Sequence, residues 1–117
     1  MILVDTSIWI DHLNESNTSL ITLLEEESVY VHPFVIGELA CGNIKNRDEI
    51  LRLLDALPQI STATLDEILF FTNEHQLFGK GLGYIDVHLI ASCMMDNAKL
   101  YTRDKKLFQI AKNLSIV

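Results

Sequence analysis

Basic residues, cysteines, prolines and long apolar runs are all scarce in this sequence. It has 9 lysines and arginines against 16 acids, a net charge of −7, which argues against extensive non-specific binding to nucleic acid. No apolar run approaches the roughly 18–20 residues of a membrane span, so no membrane partner is expected. The N-terminus also lacks the basic segment of a signal peptide. These absences favour a protein of the cytoplasm.

Cysteine and histidine are too few and too scattered to indicate a metal site. Cys41 and Cys93 have neither CxxC spacing nor a histidine partner, so we predict two buried free thiols in a reducing compartment. The 4 histidines show no paired spacing, which argues against zinc. We interpret His88 as structural or partner-facing.

The rest of the chain has the composition of one globular α/β domain, residues 1–117. The hydrophobic fraction is 49%, and no repeat or linker is visible. Short apolar or β-branched strands are predicted at residues 2–4, 28–32, 59–62, 100–101 and 114–117. Capping boxes at Asn46–Glu49 and Thr64–Glu67 predict the starts of two of the intervening helices. Strands separated by helices predict a parallel sheet with right-handed crossovers.

Four acids occur near strand ends in apolar or turn sequence, unlike the acids of charged helix faces. These are Asp5, Glu38, Asp86 and Asp104. Because strand ends on one edge of a parallel sheet converge, the four carboxylates could meet in one pocket. Without them the sequence has twelve acids against nine bases, a net charge of only −3.

Carboxylates that lie close together repel one another unless a cation is present. Mg²⁺ or Mn²⁺ is the natural counter-ion for oxygen ligands, and such an ion can activate water for hydrolysis of a phosphodiester. The alternative is that Asp5, Asp86 and Asp104 only cap helices. Glu38 is harder to explain in this way, because it lies in an apolar helix.

Basic residues near these acids offer contacts to a phosphate. Lys80 lies in the glycine-rich loop FGKGLGY, which lacks the terminal Lys-Ser/Thr of a nucleotide-binding P-loop. Arg103 and Lys105 flank Asp104. As solvated surface charges these three residues would be equally ordinary.

The chain resembles the PIN-domain family, and within it the VapC-type toxins of bacterial and archaeal toxin–antitoxin pairs. The resemblance is carried by four motifs: ILVDTSIWIDHL, VIGELACG, GLGYIDVHLIAS and LYTRDKKL. It implies a single PIN domain, a three-layer α/β/α fold with a short, mainly parallel sheet of four to five strands.

The same resemblance implies the site residues. The metal-binding and catalytic acids fall on Asp5, Glu38, Asp86 and Asp104, with Thr6 and Thr102 as supporting hydroxyls. Lys106 stands where some relatives carry an additional acid, so a ligand for a second metal is missing.

The implied function is a Mg²⁺- or Mn²⁺-dependent endoribonuclease that cleaves structured RNA, such as tRNA or an rRNA loop, by metal-activated water. It would be a cytoplasmic homodimer, silenced by a VapB-type antitoxin in a hetero-oligomer. One alternative is a catalytically silent PIN-like binding module. Another is a receiver-like signalling domain, but QISTAT supplies no acceptor aspartate and Asp5 is followed by Thr6.

Overall fold

The first apolar run becomes the central strand of a three-stranded parallel sheet in the computed structural model, which describes residues 1–117. The strands are β1 (Ile2–Val4), β2 (Val29–Tyr30) and β3 (Lys99–Tyr101), in the order β2-β1-β3. Leu3 and Val4 point to opposite faces of the sheet, and both are 0% exposed. Helices therefore cover both faces, and the predicted α/β fold with a parallel sheet is confirmed.

Seven helices complete the fold. They are α1 (Thr6–Asn14), α2 (Thr18–Glu25), α3 (Pro33–Cys41), α4 (Arg47–Ala56), α5 (Leu65–Glu74), α6 (Tyr84–Met95) and α7 (Lys105–Asn113). Helix α6 is apolar nearly all round and is the most deeply buried, with seven consecutive buried residues from Val87 to Cys93. None of the helices has the length and apolar character needed to cross a membrane.

The prediction of four to five strands is wrong, because two predicted strands do not form. Residues 59–62 contribute one isolated bridge, in which Gln59 pairs with Val31. Residues 114–117 share one backbone hydrogen bond with β3, from the Leu100 N–H to the Ile116 carbonyl at 2.6 Å. Ser115 has a positive φ of 60°, which turns the chain away from the extended conformation that a strand requires.

The two predicted capping boxes have opposite outcomes. The Thr64 hydroxyl accepts from the Glu67 N–H and the Glu67 carboxylate accepts from the Thr64 N–H. Asn46, by contrast, makes no side-chain cap, because its backbone is left-handed with φ 53°.

The prediction of two buried thiols is correct for only one of them. Cys93 is 0% exposed within α6, and burial raises the pKa of its thiol to about 12. Cys41 is exposed, because α3 turns Val35 and Leu39 toward the core instead.

Candidate active site at the carboxyl ends of the strands

Asp5 is the most firmly held of the four predicted acids. It follows the central strand, caps α1 and is only 7% exposed. One carboxylate oxygen accepts from the Thr6 N–H at 2.7 Å, and the other accepts from the hydroxyls of Ser7 at 2.9 Å and Thr102 at 2.7 Å. These donors satisfy the ionised form of the carboxylate and fix its orientation.

Thr102 connects Asp5 to Asp104. It follows β3, the strand that pairs with β1, and its hydroxyl also accepts from the Asp104 N–H at 3.1 Å. Asp104 caps α7 by accepting from the Leu107 N–H at 2.9 Å, so part of the alternative interpretation, helix capping, is correct for this residue. The second carboxylate oxygen of Asp104 makes no hydrogen bond within the chain.

Glu38 reaches the same region from α3. One of its carboxylate oxygens accepts from the Thr6 hydroxyl at 2.6 Å. Thr6 therefore lies between two acids, because its N–H donates to Asp5 while its hydroxyl donates to Glu38. Unlike Asp5, Glu38 is exposed to solvent.

Asp86 interacts electrostatically with the other three predicted acids. It lies in the first turn of α6, where it accepts from the Gly83 N–H at 3.0 Å. Burial raises the pKa of Asp86, the Gly83 hydrogen bond partly opposes this, and the negative charges of Asp5, Asp104 and Glu38 raise it further. The other three predicted acids thus lie close enough to Asp86 for their charges to act on it.

The four predicted acids supply the oxygen donors that a hard divalent cation prefers, although their side chains do not surround a single point. No group of three or more His, Cys, Asp or Glu side chains lies close enough to hold a metal ion in this arrangement. Every donor is a carboxylate oxygen, and neither of the chain's two ion pairs involves these acids. Their charge is therefore uncompensated, a condition that Mg²⁺ or Mn²⁺ would relieve.

The three predicted basic residues differ in their freedom to contact a phosphate. Lys80 and Lys105 are exposed and form no ion pair. The Arg103 guanidinium forms an ion pair with Asp11 of α1, and the Arg103 backbone N–H donates to the Ser7 hydroxyl at 3.1 Å. Arg103 is therefore engaged within the chain.

Sequence reasoning missed Ser7, which links both strand ends. It donates to Asp5, accepts from the Arg103 N–H and lies 3.5 Å from the Thr102 hydroxyl. The available signal was its position two residues after a strand-end aspartate, in the first turn of a helix.

A cluster of two buried histidines, at the start of α3 and on α6, was also not predicted. His32 and His88 are 0% and 3% exposed, with ring centroids 6.1 Å apart. Burial and, second, the neighbouring His88 lower the pKa of His32 to about 4. Burial also lowers the pKa of His88, so both rings are neutral near pH 7. The interpretation of His88 as a structural residue agrees with this burial.

The chain matches the PIN domain family over residues 2–113. The chain belongs to that family, and specifically to its VapC type. It is 46% identical over 108 residues to ribonuclease VapC32 of Mycobacterium tuberculosis, from strains CDC 1551 / Oshkosh and ATCC 25618 / H37Rv. The alignment covers 92% of this chain and 87% of VapC32.

Solved structures agree on the fold. PAE2754 from Pyrobaculum aerophilum is similar with a TM-score of 0.66 and 16% identity, covering 97% of this chain and 90% of that one. FitAB bound to the IR36 DNA fragment gives a TM-score of 0.60 and 17% identity, covering 96% and 91%. The resemblance to PIN domains is therefore confirmed in both sequence and structure.

Proposed function

We propose that this protein is a Mg²⁺- or Mn²⁺-dependent endoribonuclease whose metal and catalytic residues are Asp5, Glu38, Asp86 and Asp104. The observation that carries this proposal is the hydrogen-bond network that joins Asp5 to Asp104 through Thr102 and to Glu38 through Thr6. The 46% identity to a ribonuclease over most of both chains supports the type of reaction.

The four carboxylates would be the ligands of the ion. When bound, it would supply a Lewis acid at the phosphate and lower the pKa of water. Thr102 and Ser7 hold Asp5 in place, and Thr6 holds Glu38. We assign the two threonines supporting roles for this reason.

The proposed reaction is hydrolysis of the phosphodiester by water. Water adds to the phosphorus and gives up a proton to solvent, while the bond to the 3′ oxygen breaks and that oxygen takes up a proton from solvent. The products carry a 5′-phosphate and a 3′-hydroxyl, and the RNA 2′-hydroxyl is not the nucleophile.

Substrate phosphates would lie near Lys80 and Lys105, whose charges are free. The N-termini of α6 and α7 add positive potential beside Asp86 and Asp104. Arg103 would contribute less, because Asp11 already pairs with it. We expect a structured RNA, such as tRNA or an rRNA loop, as the substrate.

The partners follow from the VapC type of the chain. We propose one PIN domain over residues 1–117 that forms a homodimer in the cytoplasm and is silenced by a VapB-type antitoxin. The net charge of −7 suits a basic antitoxin segment.

The second candidate is a catalytically silent PIN-like binding module. It is favoured by one observation, that no three metal-binding side chains come together in this structure. The match to the PIN family removes the support for a receiver-like signalling domain.

Cleavage of total cellular RNA by the purified protein distinguishes these candidates. We expect discrete products with Mg²⁺ or Mn²⁺ and none with EDTA or with Asp5→Ala. Products that end in 2′,3′-cyclic phosphate would contradict the mechanism, since they require attack by the RNA 2′-hydroxyl. A wild-type protein that binds metal but cuts no RNA would support the silent binding module.

A further inference from the structure

A groove on α3 includes Glu38 and extends to Ile85, the residue before Asp86. Its volume is about 550 Å³, within the range of binding sites for small ligands. It is lined by Pro33, Phe34, Gly37, Glu38, Cys41 and Ile85. Whatever fills this groove therefore contacts a residue of the proposed catalytic site.

The fold alone does not explain why residue 37 is a glycine. It is the middle residue of α3, where alanine is favoured over glycine. Its φ is not positive, and a Cβ placed on it would meet no atom within 4 Å. Neither backbone conformation nor internal packing requires glycine here. A glycine that leaves open space in a groove instead allows a ligand to approach the helix backbone closely.

Phe34 gives the groove an aromatic wall with a fixed orientation. It is 38% exposed, yet it packs on His32 at 5.0 Å and on His88 at 4.7 Å between ring centroids. Tyr84, 55% exposed, packs on the same His88 at 4.5 Å. A base stacks well on an aromatic ring that is packed on one side and exposed on the other. The side chain of such a ring is already ordered, so it loses little conformational entropy on binding.

We propose that this groove binds an unpaired nucleobase of the RNA substrate, which lies against Gly37 and stacks on Phe34 beside Glu38. This inference rests on the proposed ribonuclease function and adds a subsite to it. Single-stranded loops expose bases in the manner that the groove requires. Stacking on one aromatic ring tolerates any base, so the edges of the groove would set the preference between bases.

Binding of short oligonucleotides tests the subsite independently of cleavage. The probes are fluorescein-labelled 2′-O-methyl phosphorothioate hexauridylate and hexaadenylate, with an abasic hexamer of the same charge, each measured by anisotropy in Ca²⁺. Wild-type protein should bind a base-bearing probe at least about five-fold more tightly than the abasic probe. Gly37→Ala and Phe34→Ala should reduce this ratio to below two-fold and leave the affinity for the abasic probe unchanged.

Two controls separate a lost subsite from a damaged fold. Gly37→Ala should raise Tm by about 2–5 °C, since alanine is the better helix former. Phe70→Ala removes an aromatic ring that is 62% exposed on α5, a helix that carries none of the four acids. It should keep the wild-type ratio between base-bearing and abasic probes.

Cys41 provides a second readout because it lines the groove and is exposed. Cys93 is 0% exposed and serves as an internal control. A base-bearing hexamer should slow alkylation of Cys41 by iodoacetamide more than the abasic hexamer does.

Equal affinity of wild-type protein for base-bearing and abasic probes would overturn the inference, as would wild-type binding by Gly37→Ala. The inference would also be overturned if Gly37→Ala bound the hexamers normally but no longer bound a basic antitoxin segment. The groove would then be a binding site for a protein partner. Failure of the ribonuclease proposal is distinguishable, since wild-type protein would then leave cellular RNA intact.

Discussion

Asp5 and His88 are both almost fully buried, at 7% and 3% exposed, yet their polar atoms have different surroundings. Asp5 accepts three hydrogen bonds from donors at the ends of β1 and β3. Neither ring nitrogen of His88 has a partner, and the same is true of the Ser92 hydroxyl one turn further along α6. The acid pocket is therefore built to hold charge, whereas the histidine cluster is built to exclude it.

Removing the charge of Asp5 should have the largest effect. Asp5→Asn keeps the shape and one oxygen of the side chain but loses a negative ligand, so RNA cleavage should fall by about 1,000-fold. Gel assays of cleavage measure this loss, and thermal melting verifies the fold. Activity within ten-fold of wild type in a folded variant would show that Asp5 is only a helix cap.

The histidine cluster should make the fold sensitive to acid. His32 has a pKa of about 4 when folded and 6.5 when unfolded, so between these values the unfolded chain binds more protons. Stability should be fully present above about pH 6.5 and fall by up to about 3 kcal/mol toward pH 4. Urea unfolding at each pH measures this change.

His32→Asn is the matched variant, because asparagine can still accept from the Phe34 N–H at the start of α3. Its stability should change less with pH than that of wild type, even if its stability at neutral pH is lower. Identical pH slopes for the two proteins would exclude His32 as the cause.

The Thr102 hydroxyl of the acid pocket and the buried Ser92 hydroxyl of α6 should respond to deletion in opposite ways. Thr102→Val removes the bonds to Asp5 and the Asp104 N–H. It should cost about 1–3 kcal/mol of unfolding free energy and lower cleavage by about 10–100-fold, as for other partners of metal ligands. Chemical denaturation and initial rates report the two effects, and an unchanged variant would remove the positioning role of Thr102.

Ser92→Ala should have the smallest effect on stability among these variants. Its hydroxyl is buried without a partner, so removal should be neutral or should stabilise the fold by up to about 1 kcal/mol. Chemical denaturation beside Thr102→Val makes the comparison. A loss of more than about 1 kcal/mol would mean that Ser92 has a partner, such as an ordered water.

Asp5, Asp86 and Asp104 could be placed from the sequence because each follows a strand or opens a helix, and local patterns determine those positions. Glu38 differs, because it lies within α3 and was distinguished only by its apolar neighbours. The prediction of Thr102 as a supporting hydroxyl came only from the resemblance to the PIN-domain family. The missed strands depended on tertiary context, since Gln59 pairs through only one bridge and Ser115 adopts a positive φ. Asn46 failed as a cap for a similar backbone reason.

The histidine cluster and the groove could not be predicted, because both join α3 and α6 across the fold. The roles of Phe34 and Gly37 depend on the tertiary structure. His88 packs against Phe34, and Gly37 faces open space. Spacing along the chain gives no measure of either property.

Counting bound Mn²⁺ by electron paramagnetic resonance tests whether the four acids form one divalent-cation site. We expect one Mn²⁺ per chain for the wild type, a large loss for Asp5→Asn and Asp86→Asn, and no change for Asp55→Asn, an exposed acid of α4. Absence of bound Mn²⁺ in the wild type, or equal binding in all four proteins, would contradict it.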